Sequence, residues 1–305
     1  MRDAARLLLR FLRLTCAQQL GSQRLERVPE PSAVTDDAAH VLQYDRVMTT
    51  RLALLYACGL EVIHRARPDR AGGAAADIAC GPGHFALCLA RYLDYEHVTG
   101  IDLSPGMVEA ARQNAARVGL APRVRFAVGD ALELEGFRHG ELDVATFMQA
   151  AHHLPDLNSV SRVLRSLDRI TRPDGLIVVT DLARLRTAPL TERYVKAVGG
   201  DYRERGVPQF LEDFRHSMYA AWTPAELWQV IPADSRRYWC HLVPRGLPTA
   251  QVLLGLPVGR RQVFVRSGLP WRPADSPVPR DMGWEWNLLR WGLALGCRRQ
   301  LGPRA

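Results

Sequence analysis

Carboxylates and glycines follow apolar segments of this chain at places where they could hold a ligand. Asp77 ends the first such segment, and a glycine turn at Gly81 and Gly83 leads directly into a helical pattern. A buried strand, a tight turn and a helix N-terminus in this order bring the backbone close to a ligand. Because a carboxylate repels a pyrophosphate but attracts cationic groups, Asp77 favours a positively charged ligand over a dinucleotide.

Polar residues also end the next three predicted strands. Asp102 follows the second strand, where a carboxylate can accept hydrogen bonds from two ribose hydroxyls. Asp130 follows the third and can accept from an adenine amino group, and Gln149 ends the fourth and is expected to contact the same ligand. Taken singly, Asp102 could cap the helix after Ser104, and Asp130 could be a turn residue. Because the signals come in order, we predict S-adenosylmethionine, an adenosine with a sulfonium and an ammonium group, as the cofactor.

Two histidines and an aspartate could accept a proton near this ligand. His152 and His153 follow the fourth strand, and Asp181 lies at the tip of the fifth. Imidazole titrates in the range that general bases need. The histidine pair could equally pack under a lid as a helix cap, in which case Asp181 is the alternative base or a substrate-orienting group.

The motifs around these residues resemble those of class I S-adenosylmethionine-dependent methyltransferases that act on small molecules. They lie between about residues 40 and 270 and comprise Asp77–Gly83, Gly100–Met107, Gly129–Ala131, His152–Asp156 and Arg172–Leu176. The resemblance implies an α/β fold with a Rossmann-like sheet of seven strands, mostly parallel, with the last strand antiparallel and helices on both faces. It also implies in-line methyl transfer to an oxygen, nitrogen or carbon nucleophile.

The same resemblance assigns roles to particular residues. It places the methionine part of the cofactor against Gly81 and Gly83 and the ribose against Asp102. The adenine contacts it implies are Leu103, Met107, Asp130 and Ala131. Ala79 stands where many relatives carry a third glycine, which predicts a slightly tighter pocket.

The rest of the chain divides into a central domain and two extensions. We predict an amphipathic extension at 1–40, the methyltransferase domain at 41–269, and a Pro-rich linker with an amphipathic helix at 270–305. A helical lid is expected at about 183–235, with Tyr44 beside it as a substrate contact. The last two predicted strands are 237–243 and 261–266. The terminal helices could touch a membrane surface, dock on their own domain or join two subunits of a homodimer.

Composition limits the classes of partner. The net charge is +8, but residues 1–30 and 270–305 each carry six Arg against three acidic residues, leaving only +2 between them. Because basic charge does not surround the predicted site, nucleic acid is an improbable substrate and a small molecule is expected. Six cysteines without metal-ligand spacing indicate reduced thiols, no metal site and a cytoplasmic protein.

Two other functions fit part of the pattern. The glycine turn, Gly81 to Ala86, also fits a loose dinucleotide fingerprint, which would suit an NAD-type oxidoreductase. That reading leaves Asp77 and Asp130 without a role. A non-catalytic S-adenosylmethionine-binding partner protein is the other alternative.

Overall fold

The structure is a computed structural model that describes residues 12–31, 37–48, 52–67, 72–200, 202–203, 206–244, 249–259, 277–278, 286–287 and 297–301. The helices are α1 (residues 12–20), α2 (Ala38–Met48), α3 (Ala53–Ala66), α4 (His84–Tyr92), α5 (Pro105–Arg117), α6 (Leu157–Ile170), α7 (Ala188–Gly199), α8 (Pro208–Ala220) and α9 (Pro224–Gln229). The strands are β1 (Ala74–Ile78), β2 (His97–Asp102), β3 (Val124–Val128), β4 (Leu142–Met148), β5 (Thr171–Leu182), β6 (Tyr238–Val243), β7 (Ala250–Leu256) and β8 (Cys297–Leu301).

Local sequence signals set where several helices begin. The Ser104 side chain accepts from the Met107 amide at 3.0 Å, and Pro105 then opens α5. Asp156 caps α6 in the same way through the Ser159 amide at 2.7 Å. Helix α6 buries residues with a spacing of three and four, which places one apolar stripe against the sheet; they are Val160, Val163, Leu164, Leu167 and Ile170.

The strands form one sheet in the order β3-β2-β1-β4-β5-β7-β6-β8. Strands β1 to β5 are parallel to their neighbours within that group, and β7 runs antiparallel to both β5 and β6. The predicted Rossmann-like fold is therefore confirmed. The chain moves outward from β1 to β3 and then returns to β4 on the other side of β1. Ligands of open α/β sheets bind at such a switch point, beyond the carboxyl ends of the strands.

Apolar clusters cover both faces of the sheet. One cluster joins α3, α4 and α5 to side chains such as Val98, Val144 and Leu254. A second joins α6 and α9 to side chains such as Ile78 and Phe147. Because alternate residues of each strand point to opposite faces, the near-continuous apolar strands are buried on both sides.

The carboxyl-terminal part of the sheet differs from the sequence-based prediction. The predicted last strand, 261–266, lies outside the described residues, and the antiparallel strand beside β5 is Ala250–Leu256. The alternation at 261–266 resembles a half-buried strand, whereas 250–256 is an almost unbroken apolar run suited to a position between β5 and β6. The Arg172–Leu176 motif, whose Pro-Asp-Gly sequence is typical of a turn, lies at a register shift near the start of β5.

The predicted extensions are described only in part. Of the expected amino-terminal amphipathic helix, residues 12–20 are helical, and residues 1–11 lie outside the described ranges. Of the carboxyl-terminal helix, residues 286–287 are helical, but Cys297–Leu301 is a strand that pairs with β6. The sheet therefore extends beyond the predicted domain boundary at residue 269.

The lid region consists of helices, as expected. Helices α7, α8 and α9 lie within the predicted range of 183–235, and α7 and α8 pack together through Tyr194, Leu211 and Met218. A capping box between Thr223 and Glu226 opens α9, as the Thr-Pro-Ala-Glu sequence at 223–226 favours.

Among the described helices, none alone is long and apolar enough to cross a membrane. Helices α2 and α3 together reach the length and composition of a span, but they are bent by 59° and run over residues outside the described ranges.

Candidate active site

The turn after β1 has a backbone that only small residues adopt easily. Ala79, Gly81 and Gly83 have φ values of 55°, 52° and 81°. A Cβ on Gly83 would lie 2.6 Å from Phe126 and 2.8 Å from Ala111, so this glycine lets α4 start close to β3 and α5. A Cβ on Gly81 would meet nothing within 4 Å. Gly81 therefore borders open space, as a residue that approaches a ligand should.

Ala79 has a left-handed backbone conformation, at the position where many of the methyltransferases that the chain resembles carry glycine. The left-handed conformation destabilises a folded alanine by about 1–2 kcal/mol, a cost that glycine avoids. Glycine also makes the unfolded chain more flexible, which lowers the free energy of unfolding by about 0.4–1 kcal/mol and offsets part of this gain. We therefore expect Ala79→Gly to raise the free energy of unfolding by about 0.5–1 kcal/mol, measured by urea denaturation. Gly83→Ala is the matched control and should destabilise the protein. A lower stability of Ala79→Gly would contradict the assignment of strain to this residue.

Asp77 lies beneath this turn and is 1% exposed. One carboxylate oxygen accepts from Thr146 Oγ1 at 2.7 Å, which links the ends of β1 and β4. Burial raises the pKa of Asp77 to about 7; the Thr146 hydrogen bond opposes this rise and the nearby Asp102 charge adds to it. The carboxylate thus supports the turn from below, and its contact with a cationic cofactor group stays a prediction.

Asp102 ties the second strand to the same turn. Its Oδ2 accepts from the Gly81 amide at 2.7 Å and its Oδ1 accepts from the Ser104 amide at 3.0 Å. Burial raises the pKa of Asp102 above its usual value, although these backbone donors oppose the rise. Since each carboxylate oxygen can accept more than one hydrogen bond, both remain able to accept from a hydroxyl.

Apolar surface lies next to this carboxylate. Leu103 is 51% exposed and Val128 is 52% exposed. Val128 pairs with Asp102 at the ends of β3 and β2. Met107 is buried in α5. The sequence predicted an adenine contact for Leu103 but none for Val128. The position of Val128, an apolar residue at the end of a strand, was a signal that could have indicated one.

The remaining predicted cofactor residues lie at the ends of β3 and β4. The Asp130 carboxylate accepts from the Leu132 amide at 2.8 Å, so it stabilises the turn that follows β3, and Ala131 is half-buried within that turn. Gln149 has a φ of 54°, and its side chain donates to Thr180 Oγ1 at 3.2 Å. Left-handed backbone at a non-glycine residue often occurs at functional sites. The adenine and cofactor contacts of these residues stay predictions.

The edge of the sheet fits an adenosine with a charged methionine tail. It offers a glycine turn that borders open space at Gly81, a partly buried carboxylate at Asp102 and two exposed apolar side chains at Leu103 and Val128. A flat apolar base with a dihydroxylated sugar requires this combination of apolar and acidic groups.

The three predicted catalytic residues meet at one place. His152 is 4% exposed, and its Nδ1 lies 2.5 Å from Asp181 Oδ1. Burial opposes protonation of His152, but the charge and hydrogen bond of Asp181 and the charge of Glu30 outweigh it and raise its pKa. The His153 ring lies 4.1 Å from the His152 ring, and its Nδ1 is hydrogen-bonded to Glu30.

Glu30 is the residue of this cluster that sequence reasoning missed. It is largely buried, and its second oxygen accepts from Ser217 Oγ at 2.6 Å. Burial opposes ionisation of Glu30, but its hydrogen bonds with His153 and Ser217 and the surrounding histidine side chains outweigh that effect and lower its pKa to about 2. The motif Arg27-Val-Pro-Glu-Pro31 was the only signal, and nothing in it places Glu30 beside a histidine 123 residues away.

Donor atoms of Glu30, His152 and His153 lie within 4.8 Å of one another, a spacing that can hold a metal ion. Most of these donors already bond to protein groups. Glu30 accepts from Ser217 and His153, and His152 bonds to Asp181. The hydrogen bonds alone account for the arrangement.

Tyr44, the predicted substrate contact, lies in α2, and its ring packs against α8. Its ring packs edge-on against Phe210 with centroids 5.0 Å apart and lies 5.5 Å from the His40 ring. Burial raises the pKa of Tyr44, and the charges of Asp213 and Glu30 raise it further. The contact of Tyr44 with substrate stays a prediction.

Comparisons with known proteins agree with this geometry. Residues 76–179 match the family model of a methyltransferase domain. The chain is 33% identical over 174 residues to 27-O-demethylrifamycin SV methyltransferase of Amycolatopsis mediterranei, covering 52% of this chain and 62% of that protein. It is 28% identical over 162 residues to a ubiquinone biosynthesis O-methyltransferase of Xanthomonas oryzae, covering 53% of this chain and 62% of that protein. The chain thus spans about three fifths of the length of these curated relatives.

Solved structures show the same fold. An S-adenosylmethionine-dependent methyltransferase from Aquifex aeolicus superposes with a TM-score of 0.51 at 15% identity, over 73% of this chain and 99% of that one. A structure from Methanococcus maripaludis gives a TM-score of 0.52 at 17% identity, over 77% and 100%. Residues 76–179 thus form a methyltransferase domain, and the chain is similar to S-adenosylmethionine-dependent methyltransferases in sequence and fold. The predicted cofactor is confirmed at the level of the family.

Proposed function

We propose that this protein transfers the methyl group of S-adenosylmethionine to a nucleophilic atom of a small molecule. The observation that carries the proposal is the convergence of two groups of residues on one sheet edge. His152 and His153 follow the end of β4, and Asp102 ends β2; both strands pair in parallel with β1, so the histidine cluster and the predicted ribose carboxylate lie beyond the same edge of the sheet. A methyl acceptor beside the histidines would lie next to a cofactor held by Asp102.

The residues on the two sides of this region would have separate tasks. The turn at Gly81, the Asp102 carboxylate and the Leu103 side chain would hold the cofactor. When bound, S-adenosylmethionine supplies an already activated methyl group on its sulfonium. The chain itself must orient the acceptor and take its proton, and alignment alone lowers such barriers by several kcal/mol. The histidine pair and Asp181 are the groups suited to holding that proton.

The acceptor atom is proposed to be a hydroxyl oxygen. Two relatives carry names that denote O-methyl transfer, to a rifamycin and in ubiquinone biosynthesis. A hydroxyl group must lose its proton during methylation, and a cluster of hydrogen-bonded histidines is suited to accept that proton. Nitrogen and carbon acceptors are the alternatives, and the reduced cysteines support a cytoplasmic location as part of the proposal.

Tyr44 and the helices α2 and α8 would form the wall around the acceptor. Tyr44 packs on Phe210, and the same cluster includes Tyr194, Tyr202 and Phe214. Such an aromatic surface suits a flat or largely apolar molecule.

Label transfer tests the proposed function. The protein is incubated with methyl-labelled S-adenosylmethionine and a panel of hydroxylated aromatic and polyketide compounds, and products are read by mass spectrometry. We expect labelled product with at least one hydroxyl compound. A protein that binds the cofactor but labels no member of the panel or of a cell extract would instead be a non-catalytic binding partner.

A further inference from the structure

An amino-terminal segment crosses the site and is fixed there by backbone hydrogen bonds. We call residues 22–31 the strap. The amides of Arg24 and Leu25 both donate to the Arg186 carbonyl at 2.9 Å, and the Val28 amide donates to the Tyr219 carbonyl at 3.2 Å. The strap is thus attached to the segment after β5 and to α8.

Arg27 fastens the strap to the turn that carries the histidines. Its guanidinium donates to the carbonyls of His152 at 3.0 Å, Leu154 at 2.7 Å and Pro155 at 2.8 Å. Its Nε donates to the Ala220 carbonyl at 2.7 Å, and its Cζ lies 3.7 Å from the centre of the Trp222 ring. A planar cation with several donors and a stacked ring is held in one orientation.

Glu30 follows three residues after this anchor, so Arg27 fixes where the Glu30 carboxylate lies. Oε2 bonds to His153 Nδ1, and Oε1 accepts from Ser217 Oγ at 2.6 Å. The Glu30 side chain is 7% exposed. A buried carboxylate with hydrogen bonds on both oxygens has little freedom to turn away from the histidine.

The two histidines differ in what their second nitrogen can do. His152 has a carboxylate toward each nitrogen, Asp181 at 2.5 Å from Nδ1 and Glu30 at 4.0 Å from Nε2, and its side chain is 4% exposed. His153 bonds to Glu30 through Nδ1, its side chain is 28% exposed, and among the described residues no hydrogen bond to its Nε2 is found. A neutral imidazole that donates from Nδ1 keeps the lone pair on Nε2.

We propose that Glu30 is a positioning residue that holds His153 in the Nδ1–H tautomer, so that Nε2 of His153 accepts the proton of the methyl acceptor. The proposal rests on the proposed methyl transfer and assigns the proton acceptor within the histidine pair. His152 bonds to Asp181 through Nδ1, and its Nε2 lies 4.0 Å from Glu30. The strap therefore contributes to the chemistry as well as covering the site.

Nitrogen-15 NMR of histidine-labelled protein tests the tautomer without any substrate. The His153 signals are assigned from their absence in His153→Gln. We expect wild-type Nδ1 to be protonated and Nε2 to be unprotonated at neutral pH. In Glu30→Ala the Nδ1–H form should become the minor tautomer, whereas Glu30→Gln, which retains an acceptor oxygen, should keep more of it. Glu26→Ala, an exposed change on the same strap, should leave the spectrum as in wild type.

Several results would overturn the proposal. These are an Nε2–H or doubly protonated His153 in the wild type, an unchanged spectrum in Glu30→Ala, or a His153 spectrum that changes when EDTA removes a bound metal. The wild-type spectrum decides the matter even if a variant fails to fold. Once label transfer provides an acceptor, Glu30→Ala should lower kcat by about 10- to 100-fold, with the KM for S-adenosylmethionine unchanged. Absence of label transfer with the expected tautomer would refute methyl transfer but not the positioning by Glu30.

Discussion

Replacing Asp102 by alanine should weaken S-adenosylmethionine binding by about 10- to 100-fold. The variant loses a charged acceptor for the ribose hydroxyls, which is worth about 1.5–3 kcal/mol, and each 1.4 kcal/mol is a factor of ten. Part of the effect will come from the turn, because Asp102 also accepts from the amides of Gly81 and Ser104. Titration calorimetry measures the affinity directly.

Two companion variants separate these contributions. Asp102→Asn keeps the shape and one acceptor oxygen, so it should lose less affinity than Asp102→Ala. Glu135→Ala removes an exposed carboxylate elsewhere on the domain and should bind as wild type. A folded Asp102→Ala protein with wild-type affinity would remove Asp102 from the cofactor site.

Replacing His153 by alanine should lower turnover by about 10²–10⁴-fold, the range that general bases contribute. Cofactor affinity should stay as in wild type, since the ring is not needed to hold adenosine. The measurement is kcat and KM for both substrates, with an acceptor found by label transfer. His153→Gln should be equally slow, because its amide cannot take a proton at neutral pH.

A different pattern would point to another base. If His153→Ala keeps near-normal turnover while Asp181→Asn does not, the proton passes through the His152–Asp181 pair instead. If all these variants remain active, the histidine cluster is structural and the reaction needs no base. His97, which is exposed at the start of β2, offers a control, and His97→Ala should leave turnover unchanged.

The cofactor side of the site could be predicted from the sequence because its signals are local. Asp77, Asp102 and Asp130 each follow an apolar strand, and parallel strands bring their carboxyl ends to one edge of a sheet. The sequence also indicated a structural role for each of two carboxylates, as a helix cap or a turn residue. In the structure Asp102 accepts from the Ser104 amide and Asp130 accepts from the Leu132 amide. These carboxylates shape the turns in addition to any ligand contact.

The strap could not be predicted in the same way. The hydrogen bond between Glu30 and His153 depends on where the strap lies, and Arg27 fixes the strap by donating to the carbonyls of a turn more than 120 residues away. Such long-range contacts leave no periodic pattern in the sequence. The place of β7 was missed for a related reason, since a short apolar run such as 250–256 has no periodicity that distinguishes it from a helical segment.

The most direct test of the central claim is calorimetric titration of the purified protein with S-adenosylmethionine, S-adenosylhomocysteine and NAD. The site assigned to Gly81, Asp102 and Leu103 predicts saturable binding of one molecule of either sulfur nucleoside per chain and no binding of NAD. Saturable binding of NAD, or no binding of either sulfur nucleoside by the folded protein, would contradict the account.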